Sequence, residues 1–192
     1  MRDFDENNSP WHDKRDDIIT VVIADGITNI GDNTFRNCKN LRSLSIPGSI
    51  TRIGNGSFLG CKNLRGYIRI SNGLTHIGKE AFFMCDNLWE ITIPNSMTKI
   101  NGNVFNYNIR KINLSRDLVL EGNLSFTHAL TISIQGDANE SLCNALHSRI
   151  AMGIRDNTPL TTIICNPFTK QKILDRIEKA NDSKELKKTY GV

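Results

Sequence analysis

Four similar segments follow one another in this chain, and their common period constrains the fold more tightly than anything else in it. They span residues 19–41, 42–64, 65–88 and 89–108. Phe35, Phe58, Phe82 and Phe105 form one column, spaced by 23, 24 and 23 residues, and Ile30, Ile53, Ile77 and Ile100 form a second with the same spacings. Two columns in one register mark a stack of short supersecondary units. A unit of this size cannot bury its own apolar side, whereas neighbours stacked on either face do so for one another.

Each unit reads as one coil of strand, turn and short helical turn. Leu44-Ser45-Ile46 alternates in, out, in, as a half-exposed strand does. Pro47 and Gly48 turn the chain, because proline lacks the donor that would continue a ladder. Ile50 and Ile53 point back inward and Gly54 bends the chain again. Phe58 and Cys61, three apart, suit the inner face of a single helical turn, and Leu64 closes the coil.

The core from Ile46 to Gly54 (I-P-x-S-I/M-T-x-I-G) and the turn from Ser57 to Leu64 (A/S/T-F-x-x-C-x-N-L) resemble the BspA-like leucine-rich repeats of bacterial surface proteins. Residues 19–105 carry the likeness, and the stretch from Asn8-Ser-Pro-Trp11 through Val22 resembles the lead-in found before such arrays. The resemblance implies an α/β fold: a right-handed leucine-rich-repeat horseshoe with a parallel sheet on the concave face and short helices or turns on the convex side. It also implies adhesin-like binding of host or matrix proteins, at a cell surface or after secretion. In the resembling proteins a further short β segment precedes the lead-in, so Met1 is not expected to be the natural beginning of the fold. Trp11 is expected to pack on the first coil as part of its cover.

Three parts follow: a lead-in over 1–17, the solenoid over 18–134 and a closing α/β cap over 135–192. The repeat decays in the fourth coil, where Asn101 takes the glycine position and Asn108 the cysteine position. Ile112-Asn113-Leu114 and Ile132-Ser133-Ile134 still alternate as strands, with Leu118, Leu120 and Phe126 filling an irregular coil between them. Beyond Gln135, the stretch from Asp137 to Glu140 predicts a capping box ahead of Leu142, Leu146 and Ile150 at helical spacing. A strand is expected around Thr161–Cys165. Asn166-Pro167 then offers an N-cap and a first helical position for a last helix with Ile173, Ile177 and Ala180 on its apolar face.

Charge narrows the class of partner. The net charge of +4 divides as −3 over residues 1–17, +5 over 18–134 and +2 over 135–192. A nucleic-acid binder concentrates its charge far more, so the basic middle reads as a solvated face and no nucleic-acid partner is expected. No apolar run approaches the ~20 residues of a membrane span. The opening Met-Arg-Asp-Phe-Asp-Glu lacks the basic-then-apolar order of a signal peptide, so the chain as it stands reads as cytosolic if Met1 is the true start.

Chemistry-bearing residues do not assemble into a reactive constellation. Cys38, Cys61 and Cys85 share the repeat, without a CxxC pair or histidines at ligand spacing, so no metal site is expected. Inward side chains one coil apart suit disulfide geometry poorly, and these thiols are expected to be buried, reduced and packed like alanine. His12, His76, His128 and His147 are scattered, and His76, between inward Leu74 and Ile77, faces solvent. The glycines at 26, 31, 54 and 78 serve turns, and no phosphate loop is present. The lysines from Lys184 to Lys188 read as a solvated helix face. No catalytic residue, cofactor or enzymatic activity is expected.

Binding is left to the surface. Alternation places Thr20, Ser43, Tyr67, Glu90, Lys111 and Thr131 in one outward column, and Val22, Ser45, Arg69, Thr92, Asn113 and Ser133 in the next. Most are small and polar. Tyr67, Arg69, Glu90 and Lys111 are larger or charged and cluster on adjacent coils, and the extra residue of the third coil falls near Gly66-Tyr67, where a bulge would re-aim a side chain. Tyr and Arg are enriched at binding hot spots. These four are the candidate ligand-binding residues of a non-catalytic module that takes a protein or a glycan; the alternative is an intracellular scaffold or secreted effector using the same surface.

Overall fold

The computed structural model describes residues 1–106, 108–121, 131–144, 146 and 162–179. They form a solenoid of parallel strands with few helices. The concave strands are β1 (Thr20–Val22), β3 (Ser43–Ser45), β5 (Gly66–Arg69), β7 (Leu88–Thr92), β9 (Lys111–Ser115), β11 (Thr131–Gln135) and β12 (Thr162–Ile164). All their pairings are parallel, and the isoleucines of successive coils stand opposite one another, as Ile68↔Ile91, Ile91↔Ile112 and Ile112↔Ile132.

Each of the first coils carries a second short strand that the sequence reading took for part of a turn. These are β2 (Asn29–Ile30), β4 (Arg52–Ile53), β6 (His76–Ile77) and β8 (Lys99–Asn101). β2, β4 and β6 form a sheet of their own, and β8 pairs with β10 (Val119–Glu121). Conversely, the expected helical turn around Phe58 and Cys61 is only a turn. The reason is a pair of left-handed residues in each of the first three coils: Asn33 and Asn37, Gly56 and Gly60, Glu80 and Met84, all with φ between 55 and 75° or just below. A residue at positive φ stops a right-handed helix, and here one stands two residues before each phenylalanine and another two after.

The core lies between these walls. Ile30, Ile53, Phe58, Leu64, Leu74, Phe82, Leu88, Ile91 and Phe105 are fully or almost fully buried. The phenylalanines stack coil on coil, with ring centroids 5.3 Å apart for Phe35–Phe58, 5.2 Å for Phe58–Phe82 and 5.9 Å for Phe82–Phe105. Polar side chains make a second ladder: Asp3 accepts from the Asp32 N–H, Asp32 from the Asn55 N–H, and Asn55 from the Lys79 N–H, each through Oδ1 at 2.8 Å.

The lead-in packs on the first coil. Trp11 stacks on Phe35 and donates Nε1–H to the Thr34 carbonyl, Phe4 N–H donates to the Asp32 carbonyl at 3.0 Å, and Asn33 Nδ2 donates to the Phe4 carbonyl. At the other end β12 joins the concave sheet beside β11, in register Ile132↔Ile163. A helix, α1 (Pro167–Lys179), follows it. Asn166 caps α1 by accepting the Thr169 N–H at 2.8 Å, with Pro167 as first helical residue and Ile173 buried, as the sequence predicts. The capping box is a correction. Asn139 accepts the Leu142 N–H, while Asp137 takes a hydrogen bond from Asn166 and Glu140 pairs with Arg176. An acidic side chain with a stronger cationic or amide partner elsewhere leaves the cap to the nearer amide. Phe126, Ile150, Ala180 and the lysines from 184 onward lie outside the described residues, and so do the side chains of Leu120 and Ile177.

Candidate functional site

The concave sheet does not run unbroken. β1 and β3 form a two-stranded sheet, and β5, β7, β9, β11 and β12 form a five-stranded one. The outward columns therefore come in two blocks, Thr20–Ser43 and Tyr67–Glu90–Lys111–Thr131, with no ladder between Ser43 and Tyr67. At the break the inward Leu44 and Ile46 are only half-buried, although Ile68 and Ile70 one coil later are buried. The physical cause is the extra residue of the third coil. Gly66 adopts φ 86°, and the register slips between Gly66 and Tyr67 so that Gly66 faces Leu88 while Tyr67 faces Glu90. Trp89 is thereby left unpaired in the ladder, so the extra residue of this bulge stands on β7, across from Gly66 and Tyr67.

The four candidate residues come together on the five-stranded block. Tyr67, Glu90 and Lys111 stand in direct register on β5, β7 and β9. Lys111 Nζ lies 2.7 Å from Glu90 Oε1, with the Glu90 side chain largely covered. Tyr67 is 64% exposed beside this ion pair. Arg69 stands two residues on, opposite Thr92, whose hydroxyl accepts from Asn113 Nδ2 at 3.0 Å. Cross-strand pairs of opposite charge hold such a face in place at a few tenths of a kcal/mol each, about 0.2–1.

A further row escapes the strict alternation used to read the columns. Ile19, Arg42, Arg65 and Arg110 immediately precede β1, β3, β5 and β9, and Trp89 takes the matching place in β7. All five are exposed. The Arg42 N–H donates to the Ile19 carbonyl and the Arg110 N–H to the Trp89 carbonyl, both at 2.8 Å, so coil stacking sets each of these two pairs side by side. The 23-residue spacing from Ile19 to Arg42 to Arg65 carries a signal for this row, but these residues lie before the alternating segment from which the columns follow.

Cys38, Cys61, Cys85 and Cys143 are buried, Cys165 is half-buried, and all five are free thiols. Cys61 Sγ donates to the Phe35 carbonyl at 3.2 Å and Cys85 Sγ to the Phe58 carbonyl at 3.3 Å, so these thiols hold neighbouring coils as well as filling space. Burial pushes the Cys38 thiol up to about 11 and drives Cys61 and Cys85 well above the ordinary range. Among the described residues, no group of three or more His, Cys, Asp or Glu side chains is placed to hold a metal ion. His76 is exposed on β6, and partial burial followed by the Arg52 charge lowers its pKa against the opposing pull of Asp32.

Residues 14–135 match the BspA type leucine rich repeat region, in six copies. The chain therefore belongs to the BspA-type leucine-rich-repeat family. No curated protein matches it. Among solved structures it is similar to a leucine-rich repeat protein from Eubacterium ventriosum, with a TM-score of 0.58 and 24% identity over 70% of this chain. It is also similar to a T. pallidum leucine-rich repeat protein, with a TM-score of 0.51 and 20% identity over 70% of this chain and 71% of that one. The chain spans 37% of the length of the Eubacterium protein. At these identities the likeness is one of fold. Leucine-rich-repeat proteins commonly mediate binding, and none of the described helices is long and apolar enough to cross a membrane.

Proposed function

We propose that this chain is a non-catalytic, adhesin-like recognition module that takes a protein or a glycan on its concave face, at a cell surface or after secretion. The observation that carries the reading is the row Tyr67–Glu90–Lys111. An exposed aromatic ring stands on a hydrogen-bonded sheet beside an ion pair already fixed at 2.7 Å, with Arg69 on the same strand. A preorganised aromatic and a guanidinium give large contact area with polar ends at little ordering cost. Sheet side chains of this kind recognise by shape and hydrogen bonding and carry no nucleophile.

The test is capture of extracellular matrix proteins and arrayed glycans on the immobilised chain, compared with a Tyr67→Ala/Arg69→Ala double variant. The reading expects a ligand whose retention drops in the double variant while the thermal unfolding curve stays in place. Equal retention would discard the patch. Labelling of intact cells by an antibody to this chain tests the display at the surface.

A further inference from the structure

The rim on which the concave strands begin carries cations that no carboxylate among the described residues pairs with. Arg42, Arg65 and Arg110 are exposed, one per coil, and Trp89, 47% exposed, stands between Arg65 and Arg110. Lys39 and Lys62 extend the same rim one turn earlier, held in column by the Asn63 N–H donating to the Lys39 carbonyl and Asn87 Nδ2 donating to the Lys62 carbonyl. Five other cations of the solenoid differ: Arg36, Arg52, Lys79, Lys111 and Arg116 each stand within ion-pair distance of a carboxylate. Among the described residues Arg42, Arg65, Arg69 and Arg110 have no such partner. Two acids flank these lysines in the same column: exposed Asp16, whose carbonyl accepts from Asn40 Nδ2, and Asp86, which accepts from Asn106 Nδ2 at 2.7 Å.

We infer that this rim binds an acidic polysaccharide, one bearing sulfate or uronate groups. Three features select that class. The guanidinium is the side chain best matched to planar or tetrahedral oxyanions, because its fork of donors meets two oxygens at once. Arg42 and Arg65 stand on neighbouring coils and Arg110 two coils beyond Arg65, so the charges are separated by one and then two coil spacings of roughly 5 Å each. A polysaccharide with an acidic group on each ring or every second ring presents charge at a comparable pitch, whereas duplex DNA presents one charge per about 1.7 Å and would leave most of its phosphates unmatched. The exposed indole of Trp89 and the phenol ring of Tyr67 border the line, and flat aromatic faces pack against the C–H faces of sugar rings.

The inference rests on the binding-module reading and deepens it by naming the ligand class. The experiment measures retention of the full chain on immobilised heparin, chondroitin sulfate and hyaluronan over a salt series, beside a single-stranded oligonucleotide of equal length. The triple variant Arg42→Gln/Arg65→Gln/Arg110→Gln is compared with a control of equal charge loss, Lys79→Gln/Arg116→Gln/Lys170→Gln, and circular dichroism checks that both fold. Expected are binding to at least one acidic polysaccharide, a loss of about tenfold or more in the rim variant only, and a shallower slope of log affinity against log salt in that variant. Trp89→Ala is expected to weaken binding while leaving the salt slope unchanged. Equal loss in the control would reduce the effect to net charge and overturn the site, and tighter binding of the oligonucleotide would overturn the class. No binding to any polysaccharide would overturn the inference alone, since retention of another ligand through Tyr67 and Arg69 would leave the binding-module reading standing.

Discussion

Trp11 lies face to face with Phe35, their ring centroids 5.0 Å apart and their planes 11° from parallel. The indole therefore takes the place that a phenylalanine of a preceding coil would take, and its N–H donates to the Thr34 carbonyl at 2.6 Å. Phe4 closes edge-on against its far side at 6.2 Å. A solenoid end must cover its apolar face, and this stack is the cover for the first coil.

Trp11→Ala should accordingly cost about 2 kcal/mol, less than the ~3–5 of a fully buried tryptophan because Trp11 is half-exposed. Hydrogen exchange is the better measurement, since a stacked array can open from one end. Amides of residues 29–35 should lose protection, while those of β7 and β9 keep theirs. Uniform loss along the array would contradict an end-cap role.

The thiol ladder predicts low reactivity. Cys38, Cys61 and Cys85 are buried, and burial holds them protonated at neutral pH. A thiol reagent at pH 8 should modify them only as fast as the coils open, and rapid labelling of all three in the folded protein would refute this. Cys61→Ala removes a small side chain and one weak hydrogen bond to the Phe35 carbonyl, for about 1 kcal/mol. Phe58→Ala opens a cavity between two stacked rings and should cost about 3–5 kcal/mol by chemical denaturation.

The stacked architecture was legible because its cause is periodic: columns such as Ile53–Ile77 and Phe58–Phe82 record which residues face inward in every coil. The register of the candidate patch followed from the same alternation, and Glu90 and Lys111 were readable as opposite charges on adjacent strands. The second strands were not legible, because β2, β4 and β6 have two residues each and two residues cannot show alternation. The left-handed positions were hidden in the third coil, where Glu80 and Met84 stand in place of the Asn or Gly that would announce them. The Asn139 cap was obscured by a better-looking pattern whose acids are engaged by Asn166 and Arg176.

His76 gives a pH dependence whose sign is determined. Its folded pKa is lowered from the ordinary 6.5, first by partial burial and then by Arg52. The unfolded chain therefore binds the proton more readily, so the stability tied to the neutral ring is present above 6.5 and is lost as pH falls through the folded pKa. Wild type should lose more stability than His76→Gln between pH 7 and pH 5, measured by denaturant midpoints. The difference will be small because the ring is exposed. A variant that loses as much as wild type over that window would remove His76 from the account.

Gly54 and Gly66 need glycine for opposite reasons, and one substitution separates them. At Gly54 the backbone conformation is ordinary, but an added Cβ would meet the Asp32 nitrogen at 2.5 Å and the Gly31 carbonyl carbon at 2.7 Å. These are main-chain atoms of the preceding coil, which cannot swing aside as a flexible side chain can. Gly54→Ala must therefore push two coils apart where the Gly54 N–H donates to the Ile30 carbonyl at 2.8 Å, and overpacking of this kind typically costs about 1–3 kcal/mol. At Gly66 nothing lies within 4 Å of the added atom, and only the φ of 86° resists it. Gly66→Ala should cost about 1–2 kcal/mol through that left-handed conformation, or convert the strain into a shift of the bulge. The two outcomes are distinguishable by hydrogen exchange. Gly54→Ala should loosen amides of the side sheet around Asn29–Ile30 and Arg52–Ile53, whereas Gly66→Ala should change only β5 and β7. Loosening of the side sheet by Gly66→Ala, or a neutral Gly54→Ala, would contradict the assignment of close coil approach to one glycine and backbone conformation to the other.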